Sequence, residues 1–290
     1  MSEAAAIAET PPRQAKFWRA VRQHPQLWAG AFMLGAIALL ALLAPIIAPF
    51  APDEIDLDRR LVAPDWTHLF GTDELGRDVF SRVLYGARIS LLVGVTVVGS
   101  ALLIGIPIGL IAGYIGGRTD IILMRVADIF LAFPPLLLPL AITAALGPDL
   151  TTAMLALSIS WFPWYARIIR SSVIATKQEL YVSAARAAGT HKLTIMFRHI
   201  LPNSLTGVLV QASMDFGYAI LAAAALSFIG MGAQPPQAEW GLMVADARGI
   251  FFAFWWTAVF PGLAIFITVL AVNLFGDGLN DYLNPHEGGH

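Results

Sequence analysis

The sequence predicts an all-α membrane protein with six transmembrane helices, and three observations carry that prediction. Of its 290 residues, 57% are hydrophobic and only 13% charged, against about 25% charged in a soluble domain. The mean hydropathy is +0.69. The apolar residues fall in long blocks, and a helix needs about 20 of them to cross the hydrocarbon core, where lipid offers the backbone no hydrogen-bond partner. One membrane domain with appendages accounts for the length. A formal net charge of −2 gives no reason to expect a nucleic acid or a strongly charged partner. With no cysteine, disulfides, thiolate chemistry and thiolate metal sites are excluded.

The first span is expected at 27–49. It comes after Arg13, Lys16, Arg19 and Arg22, but it outlasts the roughly 7–15-residue core of a signal peptide and closes on Pro45 and Pro49, so it predicts an uncleaved helix. Next comes a segment outside the membrane, ending in Gly71-Thr72-Asp73-Glu74-Leu75-Gly76-Arg77-Asp78-Val79-Phe80-Ser81-Arg82. Here Thr72 or Asp73 is expected to cap a short helix, with Asp78 pairing Arg82 one turn on. The bland reading is an amphipathic interfacial helix carrying Asp73, Gly76, Arg77, Asp78 and Arg82.

The second span, 89–113, repeats glycine at Gly105, Gly109 and Gly113, a small-residue face for close helix approach. The third, 121–146, is interrupted by Pro134, Pro135 and Pro139, and the fourth, 151–170, by Pro163, so both are expected to kink. Asp128 has Arg125 one turn away as its expected partner. The fifth span, 204–230, holds the deeper acid Asp215, near Gln211 and Ser213. Two readings stay open for it: a wall of a transport pathway, or a hydrogen bond between helices. The sixth span is 256–275.

Lys and Arg near span ends are retained on the cytoplasmic side. Arg118, Arg125, Arg167, Arg170, Lys177 and Arg186 then put both termini and the 171–203 segment in the cytoplasm, with 51–88 outside. Within 171–203, Glu179 to Ala188 reads as a helix of good formers, Gly189 as its left-handed cap and Thr190 as the cap of a second helix ending at Leu201-Pro202. Ala184, Ala185 and Ala188 leave one face nearly bare. A docking element for another protein and a helix lying on lipid headgroups are both open.

Several chemistries drop out. The terminal His286-Glu287-Gly288-Gly289-His290 matches the zinc-protease pattern, but Pro285 and paired glycines disfavour the rigid helix that pattern needs, and it reads as a tail. No glycine precedes any of the three lysines, so there is no P-loop for ATP. No G-x-S-x-G or Ser-x-x-Lys occurs, and a membrane-bound enzyme is unsupported.

Tyr181-Val182-Ser183-Ala184-Ala185-Arg186-Ala187-Ala188-Gly189, with Arg198-His199-Ile200-Leu201-Pro202-Asn203, resembles the EAA loop of ATP-binding cassette importer permeases. The Gly71-Thr72-Asp73, Gly76-Arg77-Asp78 and Ser81-Arg82 pattern resembles the dipeptide, oligopeptide and nickel branch, in its C-type subunit, as do Glu239-Trp240-Gly241 and Asn273-Leu274-Phe275-Gly276-Asp277-Gly278. The resemblance implies a type I importer fold of five core helices plus one N-terminal helix in the cytoplasmic (inner) membrane. It divides the chain into a tail (1–26), a first helix with external segment (27–88), a permease domain (89–277) with its EAA loop near 179–203, and a second tail (278–290). It implies a paralogous permease as heterodimer partner, two ATP-binding subunits holding ATP and Mg, an external solute-binding protein, and no cofactor or metal in this chain. Ser183, Ala184, Ala185, Gly189, Leu201 and Pro202 would dock the ATPase. Ser183 stands where that family usually has the glutamate naming the motif, and Glu179 is one turn away. Peptides are the implied cargo, with nickel or glutathione as alternatives and Gly232-Ala233-Gln234 and Trp255-Trp256 leaning toward D,D-dipeptides.

Overall fold

Helices form over the apolar blocks, but the third expected span is split in its middle and several helix ends are shifted. The computed structural model describes residues 24–283. Arg13, Lys16, Arg19, Arg22 and the terminal His286–His290 pattern lie outside the described residues. Among the described residues the regular elements are helices: α1 (Pro25–Ile47), a short 3-10 helix (Leu57–Arg59), α2 (Val79–Ile115), α3 (Gly117–Leu131), α4 (Leu137–Leu146), α5 (Leu150–Thr176), α6 (Leu180–Ala187), α7 (Lys192–Thr194), a π-helical stretch (Ile195–Ile200), α8 (Leu201–Ser204), α9 (Thr206–Ile229), α10 (Trp240–Ala247) and α11 (Trp256–Leu283). Four of these, α1, α2, α9 and α11, are long and apolar enough to cross a membrane.

The second expected span starts ten residues early. Asp78, not Thr72 or Asp73, is the N-cap, its Oδ2 accepting from the Ser81 amide at 2.7 Å, so the expected short helix is the first turns of α2. At 37 residues α2 is about 55 Å long, more than the hydrocarbon core requires, so one end must project. The third expected span is not one kinked helix. Around Pro134 and Pro135 the chain leaves the helix over 132–136, separating α3 from α4, because proline supplies no amide and restricts the residue before it. Pro163, in contrast, sits inside an unbroken α5.

The glycine face works as its spacing predicts. A Cβ on Gly105 would stand 2.8 Å from Tyr165 Cβ, one on Gly109 2.9 Å from Ile169 Cβ, and one on Gly113 2.9 Å from Val173 Cβ. Helix α2 thus lies directly on the backbone of α5. In lipid, where apolar burial gives helices no special reason to associate, close van der Waals approach through small residues is the main cohesive force. Val97, Ala101, Leu157, Tyr165, Ile169, Val173 and Val208, each fully buried, fill the seam of α2, α5 and α9. Helix α1 packs on α11, where Gly278 is pressed against Leu27 and Gly30 against the Phe275 backbone.

The two ends of α2 carry different structures. Its N-terminal end enters the folded 50–78 segment, and its C-terminal end meets the 177–192 segment: Lys177 Nζ donates to the Tyr114 carbonyl at 2.6 Å, and the Tyr114 hydroxyl to the Lys192 carbonyl at 3.2 Å.

Candidate functional site

Candidate functional residues gather at three places, one at each end of α2 and one in the middle of the bundle. At the C-terminal end of α2 is the helix pair over 180–204. Helix α6 ends as its sequence predicts: Gly189 is left-handed at φ 76°, the Thr190 amide donates to the Ala185 carbonyl and the Gly189 amide to that of Arg186, both at 3.1 Å. This is the paired bonding of a Schellman cap. Thr190 does not cap the next helix, α7; its N-cap is His191, whose Nδ1 accepts from the Leu193 amide at 3.4 Å.

The bare face of α6 differs from expectation. Val182 is fully buried and Ala185 is half-buried against the core, so Ala185 faces its own chain. The open stripe is Leu180, Ser183, Ala184 and Ala187, all exposed, at the i, i+3, i+4, i+7 spacing of one helix face. Leu180 is 86% exposed, and Leu193 and Phe197 of the neighbouring helical run are each 55% exposed. Leu201 is half-buried against the core and Pro202 exposed. The wider π-helical turns precede Pro202 and relieve the contact its ring would make with a carbonyl four residues back. The result is a small-residue ridge flanked by uncovered apolar side chains.

The second place is the middle of the bundle. Asp215, ten residues into α9, accepts from the Tyr165 hydroxyl of α5 at 2.7 Å and from Gln211 Nε2 at 2.9 Å. It opens into a cavity of about 320 Å³ whose wall includes Phe130, Trp161, Trp164 and Tyr218. One side chain therefore does two things: it ties α9 to α5 and it faces a cavity. Asp128 does not pair with Arg125. Its partner is Arg167 of α5, and Arg170 holds Asp120 with a bidentate fork at 2.5 and 2.6 Å. Arg125 lies one turn away along its own helix, but α5 brings a guanidinium across from the facing helix.

The third place is the 50–78 segment, where the sequence predicts an interfacial helix. Asp73, Gly76 and Arg77 instead form a turn. Asp73 Oδ1 accepts from the Leu75 and Arg77 amides, both at 2.9 Å, and its Oδ2 from Arg77 Nε at 2.6 Å. Gly76 sits at φ 75° with no room for a Cβ beside the Asp56 carbonyl. Asp78 pairs with buried His68 at 2.9 Å, not with Arg82. Arg82, 1% exposed, donates to the carbonyls of Pro52 at 2.7 Å and Gln237 at 3.2 Å, with Asp73 at 3.7 Å. Trp256 Nε1 bonds the Thr72 carbonyl at 3.1 Å and Trp240 Nε1 that of Val83 at 2.9 Å. Glu239 caps α10 through the Gly241 and Leu242 amides at 2.9 and 2.8 Å, and burial raises its carboxyl above the ordinary range against the pull of those amides. The charged motif is thus the inside of a clasp between the 50–78 segment and the 235–257 region. His68, Trp240 and Trp256 are not legible as members of it in the sequence, since their partners lie elsewhere in the chain.

Among the described residues no group of three or more His, Cys, Asp or Glu is placed to hold a metal ion.

The chain matches two family models: residues 105–288 match the binding-protein-dependent transport system inner membrane component, and residues 14–64 the N-terminal transmembrane domain of oligopeptide transport permease C. It is 45% identical over 288 residues to a probable D,D-dipeptide transport system permease protein of Escherichia coli strain K12, covering 97% of this chain and 96% of the relative. It is also 45% identical to a glutathione transport system permease protein of Pectobacterium atrosepticum, covering 95% and 91%. Among solved structures, an amino acid ABC transporter crystallised with histidines shares the fold with a TM-score of 0.54 and 18% identity, over 71% of this chain and 94% of that one.

Proposed function

This chain belongs to the family of binding-protein-dependent transport system inner membrane components, and from that membership we propose that its helical core lines the path by which small peptides enter the cell. It is a permease subunit of an ATP-binding cassette importer and not an enzyme; ATP hydrolysis lies in separate subunits. The cargo we assign is a dipeptide or short oligopeptide, D,D-dipeptides included. The relative named for D,D-dipeptides supports this, since such a compound is a small peptide with a free α-ammonium group; the relative named for glutathione stands for the alternative cargo.

In this reading six spans cross the inner membrane, with α3 and α4 together making the third. The core of five occupies 89–277, and both termini are cytoplasmic. A paralogous permease completes the pathway, two ATP-binding subunits with ATP and Mg supply the energy, and a solute-binding protein delivers cargo to the outer face; this chain itself holds no cofactor. The observation that carries the reading is the uncovered ridge of α6 with Leu180, Leu193 and Phe197 beside it, on a chain with no nucleotide-binding loop of its own. We assign Ser183, Ala184, Gly189 and Pro202 to the ATPase contact, with Ala185 and Leu201 holding the element in place, and Asp215 to the pathway wall.

Reconstitution tests the function. Labelled alanyl-alanine should accumulate in proteoliposomes only when the partner subunits, binding protein and ATP are all present. Equal flux through this chain without ATP would make it a passive channel. Orientation has its own test. The chain has no cysteine, and Trp66 is 97% exposed while Ser183 is also exposed. Trp66→Cys is expected to react with an impermeant thiol reagent added outside intact cells, and Ser183→Cys only after the cells are opened. Labelling of both from outside would overturn the orientation.

A further inference from the structure

The acids of the helical core are not treated alike. Asp120 and Asp128 each face an arginine of α5. Asp215 has only neutral donors, a phenol and an amide, although it lies about 15 Å along α9 from the start of that helix, where an uncompensated carboxylate is costly. A carboxylate accepts about four hydrogen bonds. Tyr165 and Gln211 fill two places, one on each oxygen, and the residues lining the adjoining cavity include no lysine, arginine or histidine. The charge therefore lacks a counterion among the side chains that surround it.

The rest of the cavity suits a cation. Trp161 and Tyr218 stack at 5.2 Å and 20°, and Trp164 and Phe130 complete an aromatic wall. The faces of such rings attract cations. At about 320 Å³ the cavity falls in the usual range of small-ligand pockets, roughly 300–1,000 Å³. Nothing in its lining offers a carboxylate a charged partner, so any recognition here is one-ended.

We propose that Asp215 and this aromatic wall form a transit site for the α-ammonium group of the peptide, leaving its carboxylate end unread. The assignment rests on the peptide-importer reading of the chain. It implies that a blocked amino end is rejected within the membrane, whereas a blocked carboxyl end is tolerated.

The test is a binding measurement on the assembled transporter in nanodiscs, without binding protein, which tracks tryptophan fluorescence because Trp161 and Trp164 line the site. Alanyl-alanine and alanyl-alanine amide are expected to give a saturable change, and N-acetyl-alanyl-alanine none. Asp215→Asn retains groups able to bond Tyr165 and Gln211 but removes the charge. It is expected to weaken binding at least about tenfold, the size of a lost charge-assisted hydrogen bond, at unchanged thermal stability. Equal responses to the free and acetylated dipeptides in the wild type would overturn the assignment without any variant. So would undiminished binding in Asp215→Asn, the result expected if Asp215 were only a tie between helices. Failure of peptide uptake with amine-selective binding intact would count against the cargo reading instead.

Discussion

Replacing Ala184 by Trp is expected to abolish ATP-dependent uptake while the chain still reaches the membrane at its normal level. Ala184 lies on the open stripe of α6 between Leu180 and Ala187, and in the proposed contact its smallness would let a partner's surface come close to the helix backbone. An indole there overpacks the contact at about 1–3 kcal/mol, which is a loss of roughly five- to more than a hundredfold in affinity at 1.4 kcal/mol per factor of ten. The measurement is the amount of ATP-binding subunit recovered with the tagged chain, alongside uptake, and both should fall together. Ala185→Trp is a different experiment. Ala185 is half-buried against its own core, so that variant should also lower the stability of the isolated chain, whereas Ala184→Trp should not. Full recovery of the ATP-binding subunit with Ala184→Trp would leave α6 as a helix resting on lipid headgroups.

Removing the guanidinium of Arg82 is expected to open the clasp at the other end of α2. The side chain bridges Pro52 of one segment and Gln237 of another, beside Asp73, in a place almost closed to water. Arg82→Met strands those carbonyls and leaves Asp73 with one cation fewer. Breaking a buried charged contact costs about 3–5 kcal/mol; at roughly 2–4 °C per kcal/mol for a domain of 150–250 residues, the midpoint should fall by on the order of 10 °C. Arg82→Lys should rescue little, because one ammonium cannot reproduce a planar fork reaching two carbonyls. Thermal unfolding of the purified chain checks both. A midpoint unchanged in Arg82→Met would mean that the clasp contributes nothing to stability.

Local signals are legible in the sequence and distant ones are not. The glycine every fourth residue from Gly105 foretells a close contact because helix periodicity alone puts those residues on one face, though it does not say that α5 will meet them. Gly189 foretells its cap because only a left-handed residue ends α6 there. Ends and partners differ from expectation for physical reasons. Asp128 has Arg125 three residues away, but the guanidinium that reaches it belongs to Arg167, from the facing helix. The bare face of α6 excludes Ala185, contrary to expectation, because a helix with several alanines carries little pattern to distinguish its sides until Val182 is seen to be buried. The charged 71–82 motif scans as an amphipathic helix when read alone. Its true partners, His68, Pro52, Gln237 and Trp256, lie up to 184 residues away in the chain, and Gly71 and Gly76 hold left-handed turns that break the helix before Asp78 caps it. Asp215 is recognisable as an acid within a span, but its lack of a cation becomes visible only against the paired Asp120 and Asp128.

In the proposed mechanism, energy from separate ATP-binding subunits enters this chain through the ridge of α6. A photo-crosslinking amino acid at Ser183, an exposed position on that ridge, tests it in the assembled transporter within native membranes. A covalent adduct with an ATP-binding subunit is expected, lost when that subunit is omitted, with no comparable adduct from Trp66, at the other end of the molecule. Adducts with phospholipid alone at Ser183, with the ATP-binding subunits present and active, would contradict it.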